Sequence, residues 1–231
     1  MRLPLGLLLS LLVLLALAGC DSGPPPFEDR LITANDGTVL RGRVYGSGPT
    51  AVVMVHDFDG DQKDLESLAK TAADRGFTVI TYDMRGHGAS PGEKEVGSTA
   101  ADAASAVRYV RRTMQRNQVL LMGEGLGGTA VLKAASQEQV LGVVALSAYS
   151  QFRGLSVIDD ISRIAAPKLF IAAESDTEGA AAARAFQEKA KEPSDLKLLP
   201  GSARGQALRE GPEGEAARDA VLDFMNAHKA A

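Results

Sequence analysis

The chain has 231 residues, 45% of them apolar and 23% charged, enough for one domain of about 200 residues with a sizeable core after a leader. Its net charge of -4, without a basic run, argues against nucleic acid as a partner. Trp is absent and aromatic residues make up 5%, which speaks against an aromatic-lined groove for single strands or sugars.

The leader comes first. Arg2 supplies a positive charge, residues 3–17 form an apolar stretch interrupted by Pro4, Gly6 and Ser10, and Ala18, Gly19 and Cys20 follow. This is the layout of a secretory signal. Leu17-Ala18-Gly19-Cys20 resembles the lipobox of bacterial lipoproteins. That resemblance implies cleavage before Cys20 and acylation of its thiol and amine. The alternative is a retained membrane helix, for which a span under about 20 residues is short. Cys20 is the only cysteine in the chain, so neither an intradomain disulfide nor a thiolate metal site can form. Residues 1–19 are thus expected to be the signal, 20–27 the lipidated Cys20 and a stiff Pro-rich tether, and 28–231 the domain. The expected location is the extracytoplasmic face of a bacterial cell membrane, held by lipid. Losing Arg2 leaves the chain more acidic still, so attraction to anionic lipid is not expected to be the anchoring force.

Beyond the tether the pattern is strand, turn, helix, repeated. Residues 31–33 and 39–45 flank Asn35-Asp36-Gly37 and predict a β-hairpin. Residues 51–55 are a continuous apolar run, as in a strand buried on both faces. Leu65, Leu68, Ala69 and Ala72 fall at helical spacing. Further strands are predicted at 77–82, 119–122, 143–146, 168–172 and 196–199. Helices are predicted around Ala103 to Met114 and over 126–135, 178–190 and 213–228. A hairpin followed by six such units predicts an α/β fold with about eight strands, mostly parallel, and helices on both faces. Ligands are then expected at the C-terminal strand ends.

Three motifs sit at those ends: His56-Asp57-Phe58-Asp59-Gly60, Tyr82-Asp83-Met84-Arg85-Gly86-His87-Gly88-Ala89-Ser90, and Gly123-Glu124-Gly125-Leu126-Gly127-Gly128. Together they resemble the α/β-hydrolase superfamily, near its serine-aminopeptidase-like and dienelactone-hydrolase-like branches. No Lys-Ser/Thr pair follows Gly128, which disfavours a nucleotide P-loop.

The resemblance implies a nucleophile elbow Gly-x-Ser-x-Gly, with serine on a strained turn. Here the flanking glycines are kept and the central residue is Gly125, which has no side chain to form an acyl intermediate. Asp176 stands at the acid position, and a helix-capping aspartate is the plainer reading of it. The histidine position, in Pro200-Gly201-Ser202-Ala203-Arg204-Gly205, is Arg204, which stays protonated and cannot act as a base near neutrality. The resemblance makes the backbone N–H groups of Phe58 and Leu126 the oxyanion donors. With Arg204 they could form an anion pocket. The favoured alternative is that Arg204 pairs with Asp176, while Glu124 repels an anion.

His56, His87 and His228 are expected to be structural. Ser90, Ser147 and Ser150 are candidate stand-in nucleophiles. Asp57, Asp59 and Asp61 are expected to form a solvated acidic loop that caps the next helix, since they lack calcium-loop spacing. Residues 148–167, where larger relatives insert a lid, are expected to hold about one helix and leave a shallow, open cleft. No metal and no cofactor are expected. The expected function is that of a membrane-anchored pseudo-hydrolase binding a small molecule or a protein. The alternative is an active esterase- or peptidase-like hydrolase with a displaced nucleophile.

Overall fold

A computed structural model describes residues 26–230. The leader, Cys20 and most of the tether lie outside them. Strands β1 (Glu28–Thr33) and β2 (Val39–Tyr45) form the antiparallel hairpin, joined through the Asp36-Gly37 turn. Gly37 has φ +87°, the left-handed conformation such turns require. β2 then pairs antiparallel with β4 (Phe77–Tyr82).

From there the sheet is parallel. It comprises β3 (Thr50–Val55), β4, β5 (Gln118–Glu124), β6 (Gly142–Leu146), β9 (Lys168–Ala173) and β10 (Ser194–Leu199). The spatial order of the eight strands is β1-β2-β4-β3-β5-β6-β9-β10. Helices α1 (Glu66–Asp74), α2 (Thr99–Arg112), α3 (Leu126–Ala135) and α4 (Thr177–Lys189) are crossovers, and α5 (Gly205–Glu210) and α6 (Gly214–Ala227) close the chain.

The apolar runs are buried on both faces. Val53, Val55 and Leu121 face the layer of α2 and α3, while Val52, Met54 and Leu120 face that of α1 and α6. Each such side chain, removed wholly from water, contributes about 1.5–3 kcal/mol.

Two expectations need correction. Residues 148–167 form no α-helix. They hold a short hairpin, β7 (Gln151–Phe152) and β8 (Leu155–Ser156), and a 3-10 turn at Ile161–Arg163. The tip, Arg153-Gly154, has positive φ at both residues, the geometry of a two-residue hairpin turn. Phe152 pairs with Leu155 across the hairpin and packs on Phe58 and Tyr149. The second correction is α5, which begins at Gly205 and was not foreseen. It is too short to show a period, and it is held by a buried ion pair described below.

Candidate functional site

The site gathers at the C-terminal ends of β3, β5, β6, β9 and β10. Gly125 is the residue between β5 and α3, with φ +51° and ψ -117°. That region is costly for any other residue, on the order of 1–3 kcal/mol. The flanking glycines are kept for a separate reason. A Cβ on Gly123 would lie 2.3 Å from the Gly127 backbone, and one on Gly127 would lie 2.2 Å from the Val55 carbonyl. The elbow packs backbone on backbone.

The space over Gly125 is filled. A Cβ there would lie 2.0 Å from Cγ and Oδ1 of Asp57. The Asp57 carboxylate has turned into the place that a side chain at position 125 would take. Its Oδ1 accepts hydrogen bonds from the amides of Phe58 (2.7 Å) and Leu126 (2.8 Å). These are the two donors that the motifs nominated for an oxyanion, and both already hold one. Burial pushes the Asp57 carboxyl above its ordinary value, while the Leu126 and Phe58 amides and Arg204 pull it down.

The expectation for Asp57 is therefore overturned. Of the three aspartates, Asp61 does cap, accepting from the Lys63 amide at 2.7 Å. Asp57 points inward instead, where two convergent N–H donors hold its carboxylate and the missing side chain at Gly125 leaves it room. Its position directly before Phe58 was the available signal.

Arg204 caps the N-terminus of α5 with its backbone. Its Nε lies 3.2 Å from Asp176 Oδ2, and Nη1 donates to Glu178 at 2.8 Å. The guanidinium sits 4.5 Å over the Tyr149 ring. Burial works against its charge, but Glu178, Tyr149 and Asp176 outweigh it and raise its pKa further. Asp176 is at once the partner of Arg204 and the cap of α4, accepting from the Gly179 amide at 3.1 Å. Its buried Oδ2 has a charge contact but no hydrogen-bond donor.

Glu124 does not repel an anion as expected. It is fully buried and paired with Arg209 of α5, Nε to Oε1 2.6 Å, with both side chains at or below 1% exposure. Burial raises the Glu124 carboxyl and Arg209 lowers it. Arg209 also donates to the Asp64 carbonyl at 2.5 Å, so it links the elbow, α5 and the loop after β3.

The histidines serve the loops. His56 Nδ1 donates to the Asp57 carbonyl at 2.7 Å and its Nε2 accepts from the Met84 amide at 3.0 Å. Burial holds its pKa down at about 4. His87 lies between the Phe58 and Arg85 carbonyls. His228 faces the Phe224 carbonyl. Ser90 bridges Arg41 and Asp83. Ser147 accepts from the Gly205 amide at 3.1 Å. Among the described residues no serine hydroxyl is hydrogen-bonded to a histidine, so none of the stand-in serines has a base.

The rim is aromatic and cationic. Phe58, Phe152 and Tyr149 stack in sequence at 5.3 and 4.7 Å. Arg153 lies 4.2 Å over Phe58, and Lys94 lies 5.0 Å from the same ring. Sequence reading missed Arg153, Arg209 and this stack, because all three depend on chain segments meeting across loops. Among the described residues no cluster of His, Cys, Asp and Glu could hold a metal ion.

Residues 48–169 match the family described as serine aminopeptidase, S33. The chain belongs to that family, within the α/β-hydrolase superfamily. It is 29% identical over 147 residues to the uncharacterized protein YfhR of Escherichia coli O157:H7, covering 59% of this chain and 52% of YfhR. It is 26% identical over 227 residues to the uncharacterized protein Rv2307c of Mycobacterium tuberculosis, covering 87% of this chain and 80% of that protein. The esterase Pf2001 of Pyrococcus furiosus shares the fold, with a TM-score of 0.75, 16% identity, and 87% and 92% coverage. Within the matched residues lies the elbow, with Gly125 between the glycines Gly123 and Gly127.

Proposed function

We propose that this chain is an extracytoplasmic protein, lipid-anchored at Cys20, that has given up acyl-transfer chemistry and uses its hydrolase scaffold to bind a small molecule or a protein. The observation that carries the loss of chemistry is the Asp57 carboxylate in the oxyanion hole. A site of this kind works by stabilising charge that develops in the transition state. Here a carboxylate already holds both donors, the nucleophile is absent, and the base is a guanidinium.

The anchor rests on the leader and on Cys20 as the sole cysteine. Two or more acyl chains hold a protein firmly, at about 0.8 kcal/mol per buried CH₂. Among the described residues no helix is long and apolar enough to cross a membrane.

Turnover of p-nitrophenyl acetate and butyrate, with fluorophosphonate labelling, tests the chemistry. The wild type is expected to be silent. Gly125→Ser/Arg204→His is also expected to be silent, because Asp57 still fills the hole. Adding Asp57→Gly is expected to give a labelled protein. Labelling of the wild type would overturn the reading and point to a nucleophile elsewhere in the chain.

A further inference from the structure

The parallel sheet has two ends, and the tether and the site lie at opposite ones. β1 runs parallel to β4 through β2, so Pro26 and Phe27 lie at the N-terminal ends of the parallel strands. The Asp57 site lies at their C-terminal ends, about 20 Å away for a six-residue strand such as β3. Five residues separate Cys20 from Pro26, a reach of at most about 20 Å.

Beside Pro26 a groove of about 570 Å³ is lined by Arg30, Tyr109 and Arg116. A second groove, of about 270 Å³, shares Tyr109 and adds Leu31, Arg108 and Arg112. Leu31, 53% exposed, is the exposed large hydrophobic residue of the described chain. Arg108, Arg111 and Arg112 follow one another at helical spacing on α2. The counter-charges on this flank are Glu138, which holds Arg108 and Arg111, Glu28, which holds Arg30, and exposed Asp29. Among the described residues no carboxylate pairs with Arg112. The opposite end exposes Asp59, Glu93, Glu95, Glu174 and Glu178 together with Lys94 and Arg153.

We infer that the flank of β1 and the C-terminal half of α2 docks on anionic phospholipid headgroups, which turns the Asp57 site away from the bilayer. This rests on the lipid-anchor reading. An aromatic and an aliphatic side chain among arginines suit the boundary between headgroup and acyl chain. The chain's net negative charge does not oppose the docking, because screening over about 10 Å at 0.1 M salt makes the local flank decide.

The test uses the full chain, produced with its leader in a bacterial host and reconstituted into phosphatidylcholine vesicles with or without phosphatidylglycerol. Mass spectrometry reports whether Cys20 is acylated. Energy transfer to a headgroup acceptor is read from a dye at Thr113→Cys or at Glu174→Cys. The expected result on phosphatidylglycerol is strong transfer from position 113 and weak transfer from 174. The difference should shrink at high salt and in the Arg112→Glu/Leu31→Ser variant. Equal transfer from both positions overturns the docking face while leaving the anchor intact.

If Cys20 is unmodified the anchor reading falls, and flotation of that same chain with anionic vesicles at low salt decides the face. Each basic residue near such a surface contributes about fivefold in partitioning, so Arg112→Glu is expected to cut flotation by at least that much. No flotation overturns the proposal, as does dimerisation through the β1 edge with no lipid dependence.

Discussion

At the scale of single residues, the site turns on a reciprocal exchange of volume. Gly125 has no side chain, and Asp57 fills the vacancy with a carboxylate that two amides hold at 2.7 and 2.8 Å. Restoring serine at 125 alone is therefore expected to destabilise the fold, by about 1–3 kcal/mol for the backbone conformation and more for the overlap with Asp57. Asp57→Gly in the same chain should recover much of that loss, so a denaturant double-mutant cycle should show strong favourable coupling. Additive costs would mean the two positions are independent. His56 offers a second test. Burial lowers its folded pKa from 6.5 to about 4, so its contribution to stability is full above pH 6.5 and is lost as the pH falls through about 4. The linked loss is about 3 kcal/mol. The raised Asp57 carboxyl acts in the opposite sense, since its folded form holds its proton more tightly. His56→Gln should flatten the acid side of the stability profile, and an unchanged slope would mean that another group governs it. The glycine-rich elbow around Gly125 could be read from the sequence, but the inward turn of Asp57 could not, because nothing in a linear string says which way a carboxylate points.

Among elements, the segments that carry the site are those with the weakest periodic signal. α5 is six residues long and is tied to β5 by the Arg209–Glu124 pair, while Arg209 also holds the loop after β3. Arg209→Met leaves a buried carboxylate without its partner and is expected to cost about 3–5 kcal/mol in chemical denaturation. The paired Glu124→Gln/Arg209→Met variant should cost distinctly less, since the uncompensated charge is gone. A double variant as damaged as the single one would show that packing, not charge, holds α5. The β7–β8 hairpin sits where a helix was expected. Its two-residue strands carry no readable alternation, and its shape follows from Phe152 packing on Phe58 and Tyr149.

At the scale of the whole molecule, the sheet sets the Asp57 site at the C-terminal ends of its parallel strands and Pro26 and Phe27 at the other end. Purified protein is expected to give no ester turnover above background, whereas the Asp57→Gly/Gly125→Ser/Arg204→His variant is expected to label with fluorophosphonate. Failure of that variant while still folded would place a further block outside these three positions. The sequence by itself determined the class of fold, the parallel strands and the glycine-rich elbow, because buried strands and tight turns are local demands written in consecutive residues. Only the tertiary structure decided that Arg204 pairs with Asp176 and Glu178, that Glu124 is neutralised by Arg209, and that the oxyanion donors are already occupied. Apart from the Phe58 amide on neighbouring Asp57, each of those contacts joins residues 26 to 85 positions apart, and the balance between a solvated and a buried charge is set by which segments the fold brings together.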